Sequence, residues 1–412
     1  IMLPVSEPLY RRLLLVALIL GVAGGFIGLV YSGFTGFGND LFFGDPTSEP
    51  WSGQWWWIPL VSGGAVLVTA LRKLWSVPKH VSGAIAYVRA GWVDPSSVLS
   101  LFAISAISLF TGASLGPSFG IIVAAGGLGS WIISRLSTSD TEAQHGYTLT
   151  GMAGGLGAAL TAPLLSAVMT GELSSTSKKR YVAAFIPQLL AATIAYVIFF
   201  GITGKVMLDT FNIPGYEYEN VHLLYAALLG LFSVVVLLVQ ALIRNFVLWL
   251  VPLVKNPYSR AAAGGALVGL IAFALPLTVN GGSSQLSYET GNIATLSIGL
   301  LLAVLVGKMA AFTLSQQAGF LGGLVFPIIF VGGTAGILVH LVFPWIPAPL
   351  AVAGMVGAVP GAVLGAPVSF SLLGAFTVGL GLAGVAPVGI AVIVAHLAVW
   401  GLQVFKGSRE DA

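Results

Sequence analysis

The sequence predicts an all-α, multi-pass membrane fold made of two inverted-topology repeats with broken and re-entrant helices. Three observations carry that expectation. Of 412 residues, 57% are hydrophobic and only 8% charged, against about 25% charged in an ordinary soluble protein, so the chain cannot cover a water-facing surface of its own size. Glycine (54) and proline (21) are abundant, which in a bilayer points to close helix packing and to helices interrupted where a substrate is held. Blocks of the first half recur in the second. Mean hydropathy is +0.98, and a soluble enzyme, a secreted disulfide scaffold and a disordered tail are excluded. Cysteine is absent, so no disulfide or cysteine-ligated metal is available. The net charge of +3 is spread over loops, and no nucleic-acid partner is expected.

The elements follow in order. The first apolar span, about 13–34, comes after Arg11 and Arg12 and has no small-residue cleavage site, so it reads as a retained transmembrane helix and not a signal peptide. A loop with Asp40, Asp45 and Glu49 follows, then a second span from about 55 to 71 ending in Arg72, Lys73 and Lys79. Basic flanks mark the cytoplasmic side, which places the N-terminus, the 72–80 loop and provisionally Lys178-Lys179-Arg180 and Lys255 to Arg260 there. Later apolar segments are interrupted at 112–117, 151–163, 322–327, 354–367 and 384–389. Broken backbone at membrane depth is tolerable only inside protein or along a wet path, so these breaks predict a transport pathway. The expected division is 1–54 as a leading segment with the first span, 55–221 and 222–403 as the two halves, and 404–412 as a short cytoplasmic tail.

The repeat is the most informative feature. Shifted by 207 positions, Ser118-Phe119-Gly120-Ile121-Ile122 faces Val325-Phe326-Pro327-Ile328-Ile329, Gly126 faces Gly333 and Gly129 faces Gly336. Gly151-Met152-x-Gly154 … Ala162-Pro163 resembles Gly354-Met355-x-Gly357 … Ala366-Pro367, with one extra residue in the second copy. Paired broken segments in two halves point to a binding site at the midplane. Each glycine-rich segment also presents free N–H groups at a helix start, and several aimed at one point hold an anion without a full counter-charge.

At these residues the sequence resembles the CLC family of chloride channels and proton-coupled chloride exchangers. Lys308-x-x-x-x-Thr313 … Gly319-Phe320-Leu321-Gly322-Gly323-Leu324-Val325-Phe326-Pro327 is similar to that family's G-x-F-x-P region and the helix before it. Gly112 to Pro117 sits where the family carries G-[KR]-E-G-P, Ser82-Gly83 where it carries G-S-G-I-P, and Gly151 to Glu172 resembles the run leading into a pair of glutamates. The likeness covers about residues 12–403. It implies a CLC-type fold, a homodimer in a cell membrane with both termini cytoplasmic, an anion pathway in each subunit, and no cofactor or metal. Ser82 and Gly83 would meet a central anion with the N–H groups of Leu324 and Val325, while those of Ser114, Leu115 and Gly116 would line the outer approach. The runs 183–201 and 223–253 are candidates for the dimer face. A prokaryotic inner membrane is the expected location.

The departures from the family shape the functional expectation. Where proton-coupled members carry a gating glutamate, this chain has Leu115, which can neither titrate nor compete with an anion. The family's inner tyrosine has no counterpart, since the last tyrosine is Tyr288. Glu172 aligns with the first glutamate of the family's pair, and the proton acceptor's place is taken by Leu173; Glu172 is a possible proton-pathway residue or a structural carboxylate near Lys178 and Lys179. Lys308, in an apolar run, is expected to be structural or to face a cytoplasmic vestibule. No Ser-His-Asp set, phosphate loop or carboxylate pair can be assembled, so no enzyme is expected. The leading expectation is passive transport of a monovalent anion, chloride or one like it, without proton coupling, with Leu115, Phe119 and Phe326 as the gate. The alternatives are a proton-coupled antiporter using an acid such as Glu172, and a non-conducting scaffold or sensor.

Overall fold

A backbone in hydrocarbon must satisfy its own hydrogen bonds, and a helix does this within one segment. The computed structural model describes residues 8–49, 51–78, 81, 83–136, 141–174, 178–205, 211 and 213–410, and among these the regular elements are helices plus one isolated bridge. In chain order the α-helices are α1 (Pro8–Phe42), α2 (Trp57–Leu74), α3 (Ala84–Ala90), α4 (Val98–Phe110), α5 (Ser118–Arg135), α6 (Thr141–Leu160), α7 (Pro163–Leu173) and α8 (Lys178–Thr203). They continue as α9 (Val221–Leu250), α10 (Pro257–Ala274), α11 (Ser283–Gly291), α12 (Ile298–Gln317), α13 (Val325–Val342), α14 (Ala348–Leu364), α15 (Pro367–Thr377) and α16 (Gly381–Glu410). Eight of them, α1, α2, α5, α8, α9, α12, α13 and α16, are long and apolar enough to cross a membrane. By contrast α3, α7, α11 and α15 have 7, 11, 9 and 11 residues, well short of the roughly 20 that a span requires.

The packing repeats along the chain. Helix α1 lies against α4, α5, α6 and α8, and α9 lies against α12, α13, α14 and α16 in the same relation. Likewise α6 packs on α5, α7 and α8 as α14 packs on α13, α15 and α16. Residues 1–54 are expected ahead of the first half, and their helix α1 packs on that half in the relation that α9 has to the second. Small residues explain the docking of both. A Cβ added at Gly21 of α1 would stand 2.8 Å from the Ala191 carbonyl oxygen on α8, and one at Gly230 of α9 would stand 2.6 Å from that of Ala391 on α16. Without Cβ atoms the backbones approach closely, which is how helices gain contact where lipid offers no hydrophobic drive.

Helices α2 and α10 join the halves. Added Cβ atoms at Gly265 and Gly269 would lie 2.6 and 2.7 Å from the carbonyl oxygens of Val61 and Trp57, and Ser62 Oγ donates to the Ala262 carbonyl at 2.9 Å.

The expected interruptions divide into three groups. Those at 112–117 and 322–327 separate α4 from α5 and α12 from α13. Those at 151–163 and 354–367 are narrower than expected: α6 and α14 run through Gly151 and Gly354 and stop only at 161–162 and 365–366. The glycines ahead of the stop serve packing, as at Gly151, whose Cβ would stand 2.2 Å from the Ala125 carbonyl oxygen. Segment 384–389 is no break, since Pro387 lies inside α16; so near the helix start, proline removes one ladder bond without ending the helix.

Candidate functional site

The two glycine-rich breaks meet. Gly116 N–H donates to the Gly323 carbonyl at 2.7 Å, and Gly323 N–H donates back to Gly116 at 2.6 Å. These two residues are separated by the same 207 positions as the sequence repeat, so each glycine is bridged to its own copy and a local two-fold axis passes between them. A second pair of bonds obeys the same shift. Ser114 N–H donates to Ser315 Oγ at 3.0 Å, and Leu321 N–H donates to Ser108 Oγ at 3.1 Å.

Helices α5 and α13 begin just beyond this bridge, so their N-termini converge from opposite halves. Among the described residues, the N–H groups of Leu324 and Val325 meet no acceptor. A helix start with unpaired donors carries roughly half a positive charge and suits an anion. Gly112 (φ +90°) and Gly319 (φ +96°) make the turns that lead into the two breaks. Arg72 fixes the second turn, with Nη1 donating to the Gly319 carbonyl at 2.9 Å and Nη2 to that of Pro78.

The expected site residues fall around this junction, with corrections. Gly83 precedes α3, and a Cβ there would touch the Leu324 side chain at 3.8 Å, so the third motif stands beside the second. Ser82 lies outside the described residues. The N–H groups of Ser114, Leu115 and Gly116, expected to line the outer approach, are occupied within the protein by Ser315 Oγ, Ala113 O (2.7 Å) and Gly323 O. The symmetric bridge consumes donors that an isolated loop would leave free. Leu115 is buried, and its Cβ sits 2.5 Å from where Gly322 would carry its own. Phe119 and Phe326 are also buried, and Phe326 Cβ lies 3.0 Å from the Cβ position of Gly116. Tyr87, which the sequence reasoning passed over, approaches Phe119 edge-on with ring centroids 6.2 Å apart. Its signal was its place on the short helix that follows Gly83.

A family profile described as voltage gated chloride channel matches residues 63–399. The chain belongs to the voltage gated chloride channel family. The uncharacterized protein MJ0305 of Methanocaldococcus jannaschii is 33% identical over 193 residues, 46% of this chain and 47% of that protein, so the match spans about half the relative's length. A slow cyanobacterial Cl−/H+ antiporter shares the fold with a TM-score of 0.78 at 18% identity, covering 96% of this chain and 98% of that one. A CLC-type fluoride/proton antiporter gives 0.76 at 18% identity, covering 94% and 95%.

Glu172, Lys308 and Glu289 of this chloride channel family member lie buried or part-buried in the protein. Glu172 Oε1 accepts from Val368 N–H at 2.8 Å, and Oε2 accepts from Ser369 N–H at 2.8 Å and Ser369 Oγ at 2.7 Å. It therefore caps the start of α15 from the end of α7, the kind of place where a carboxylate is stabilised by helix polarity. The side chains of Lys178 and Lys179, expected beside it, lie outside the described residues. Lys308 is fully buried, with Nζ donating to the carbonyls of Thr278 (3.0 Å), Val279 (3.5 Å) and Asn280 and lying 5.2 Å above the Phe330 ring. It holds the 278–280 loop, which follows α10 on the side of the acidic 43–57 loop, where Gly53 N–H donates to the Phe273 carbonyl at 2.7 Å.

Glu289 was not anticipated. It is fully buried on α11 and accepts from Thr334 Oγ1 at 2.6 Å through Oε2, while Oε1 has no partner among the described residues. The signal was available, because Glu289 is the only Asp or Glu between Glu219 and Glu410.

Proposed function

We propose that this chain moves a small monovalent anion, chloride or one like it, passively through a pathway in each subunit of a homodimer. One observation carries the reading: two helix N-termini from opposite halves converge at the Gly116–Gly323 bridge, with donors at Leu324 and Val325 that are uncommitted among the described residues and a leucine at position 115. Backbone donors bind an anion without the tight grip of a lysine or arginine, which suits rapid release. Leu115, Phe119 and Phe326 form the apolar constriction, and a narrow apolar passage gates by shedding water. Leucine carries no proton, so nothing at the constriction ties anion movement to proton movement.

A proton-coupled antiporter is the second reading, favoured by the two antiporters that share the fold. Against it stands Glu172, whose two oxygens are spent on α15. The deciding experiment is chloride efflux from liposomes holding the purified protein, with proton movement followed in the same vesicles. Efflux with proton movement that only dissipates the electrical potential supports passive transport. Protons driven uphill by a chloride gradient overturn it, and no flux with chloride, fluoride or nitrate favours a scaffold or sensor.

A further inference from the structure

A fully buried carboxylate with one oxygen unpartnered among the described residues, coupled to a fully buried ammonium, is an expensive arrangement. Lys308 and Glu289 interact electrostatically, yet the ammonium spends its protons on loop carbonyls and not on the carboxylate. That same loop touches the anion junction. Thr278 O accepts from Lys308 Nζ and also from Ser114 Oγ at 3.1 Å. At Gly281 an added Cβ would lie 3.5 Å from the Leu115 carbonyl oxygen and 3.6 Å from Gly116 Cα. One loop thus has the buried charges on one side and the constriction residue on the other.

We propose that Glu289 is a proton-binding site that sets the charge behind the Leu115 constriction. With a proton on Glu289, the Lys308 ammonium is uncompensated and draws an anion toward residue 115. With the proton gone, carboxylate and ammonium cancel and passage slows. The proton is bound and released in place and is not carried across, so transport stays passive but is activated by acid. This rests on the anion-transport reading above.

The groups facing Glu289 are few. From α13 it meets Thr334; the one ionisable side chain of α13, His340, is engaged through Nδ1 with the Ile346 carbonyl at 2.7 Å. From α12 the only charge is Lys308, on α11 itself the other ionisable group is Tyr288, and loop 275–282 has none. Among the groups facing the site Glu289 is the one acid, and Lys308 is the base coupled to it.

The test compares chloride efflux from liposomes, buffered equally on both sides from roughly pH 4.5 to 9, for the wild type, E289Q and T334V. A single site changes its protonated fraction about tenfold per pH unit above its midpoint. Wild-type efflux is expected to rise with acid on that scale, and E289Q to stay fast with less than about a twofold change. T334V removes a donor that favours the charged form, so its midpoint should move to higher pH. Wild-type efflux that ignores pH, or E289Q that keeps the wild-type profile, overturns the proposal. Should E289Q fail to fold, T334V decides: an unmoved midpoint refutes the site. Should the wild type carry no anion, the transport reading fails by itself. The proton site is then judged by infrared difference spectra between acid and alkaline pH, where a protonated-carboxyl band lost in E289Q supports it and an unchanged band refutes it.

Discussion

Gly323→Ala is the sharpest probe of the junction. The added methyl would stand 1.9 Å from Ser118 Oγ and 3.1 Å from both Ser118 Cβ and the Phe119 nitrogen. Ser118 is fully buried and starts α5, so its hydroxyl cannot swing into solvent and the backbone nitrogen cannot withdraw without moving the helix. Overpacking of this kind costs about 1–3 kcal/mol, and the crowding at 1.9 Å puts this site at the upper end. The hydroxyl itself has no hydrogen-bond partner among the described residues. Replacing an unpaired buried hydroxyl by hydrogen is close to neutral or slightly stabilising, so Ser118→Ala should change stability by less than about 0.5 kcal/mol. The double variant should then recover about 1 kcal/mol or more relative to the sum of the singles. Gly116→Ala is the symmetry control. Its methyl would meet Phe326 Cβ at 3.0 Å and the Gly323 carbonyl at 3.3 Å, a milder contact expected to cost under about 1 kcal/mol. The assay is a double-mutant cycle on unfolding by sodium dodecyl sulfate in mixed micelles, followed by circular dichroism, with chloride efflux measured on the same preparations. Additivity of Gly323→Ala and Ser118→Ala within about 0.5 kcal/mol would refute the steric argument. Destabilisation by Ser118→Ala alone of more than about 1 kcal/mol would show that its hydroxyl is paired.

Leu115→Glu, placed in the E289Q background so that only one acid titrates near the junction, should make chloride efflux pH-dependent and slower when the new carboxylate is charged. Unchanged efflux across roughly pH 4.5–7.5 in a folded protein would mean that residue 115 does not line the path. Glu172→Ala strips three donors of their acceptor at the start of α15 and should cost about 2–4 kcal/mol while any chloride flux that survives keeps its pH profile. A lost pH response in that variant would return Glu172 to the proton pathway. Lys308→Met removes the ammonium from the carbonyls of Thr278 and Asn280 and from buried Glu289 and should destabilise by about 3–5 kcal/mol, read in the same unfolding assay; a neutral result would contradict the part given to Lys308 in holding loop 278–280.

The repeat was legible because its glycines do geometric work. The 207-residue shift aligned Ser118 with Val325 from composition-poor letters, and the structure bonds Gly116 to Gly323 across that same shift. The family followed from the glycine-rich breaks, since those are where the backbone must turn. Other features were illegible for physical reasons. A glycine that ends a helix and one that lets two helices touch look alike in sequence, so 151–160 and 384–389 read as breaks when α6 and α16 run through them. Whether an N–H is free depends on partners about two hundred residues away, so the engagement of Ser114 by Ser315 could not be foreseen. Helix α1 was set apart because its small-residue face lacks a motif, and only its packing on α6 and α8 reveals the match with α9. Glu289 was visible as a lone acid, but its meaning required seeing Lys308 and loop 278–282 together.

Symmetry also explains why the constriction is asymmetric. On a two-fold axis, a residue beside the axis lies next to its own copy, so two bulky side chains cannot occupy the pair. Residues 115 and 322 are such a pair under the 207-residue shift. With leucine at 115, position 322 must be glycine, because a Cβ there would be 2.5 Å from that of Leu115. The two halves share a backbone but divide the work: one places a side chain over the junction, and the other leaves backbone donors at Leu324 and Val325 that meet no acceptor among the described residues. Changing the chemistry at 115 therefore leaves the bridge intact as long as 322 stays glycine. A junction built this way can exchange a titratable side chain at 115 for an apolar one without rebuilding the fold around it.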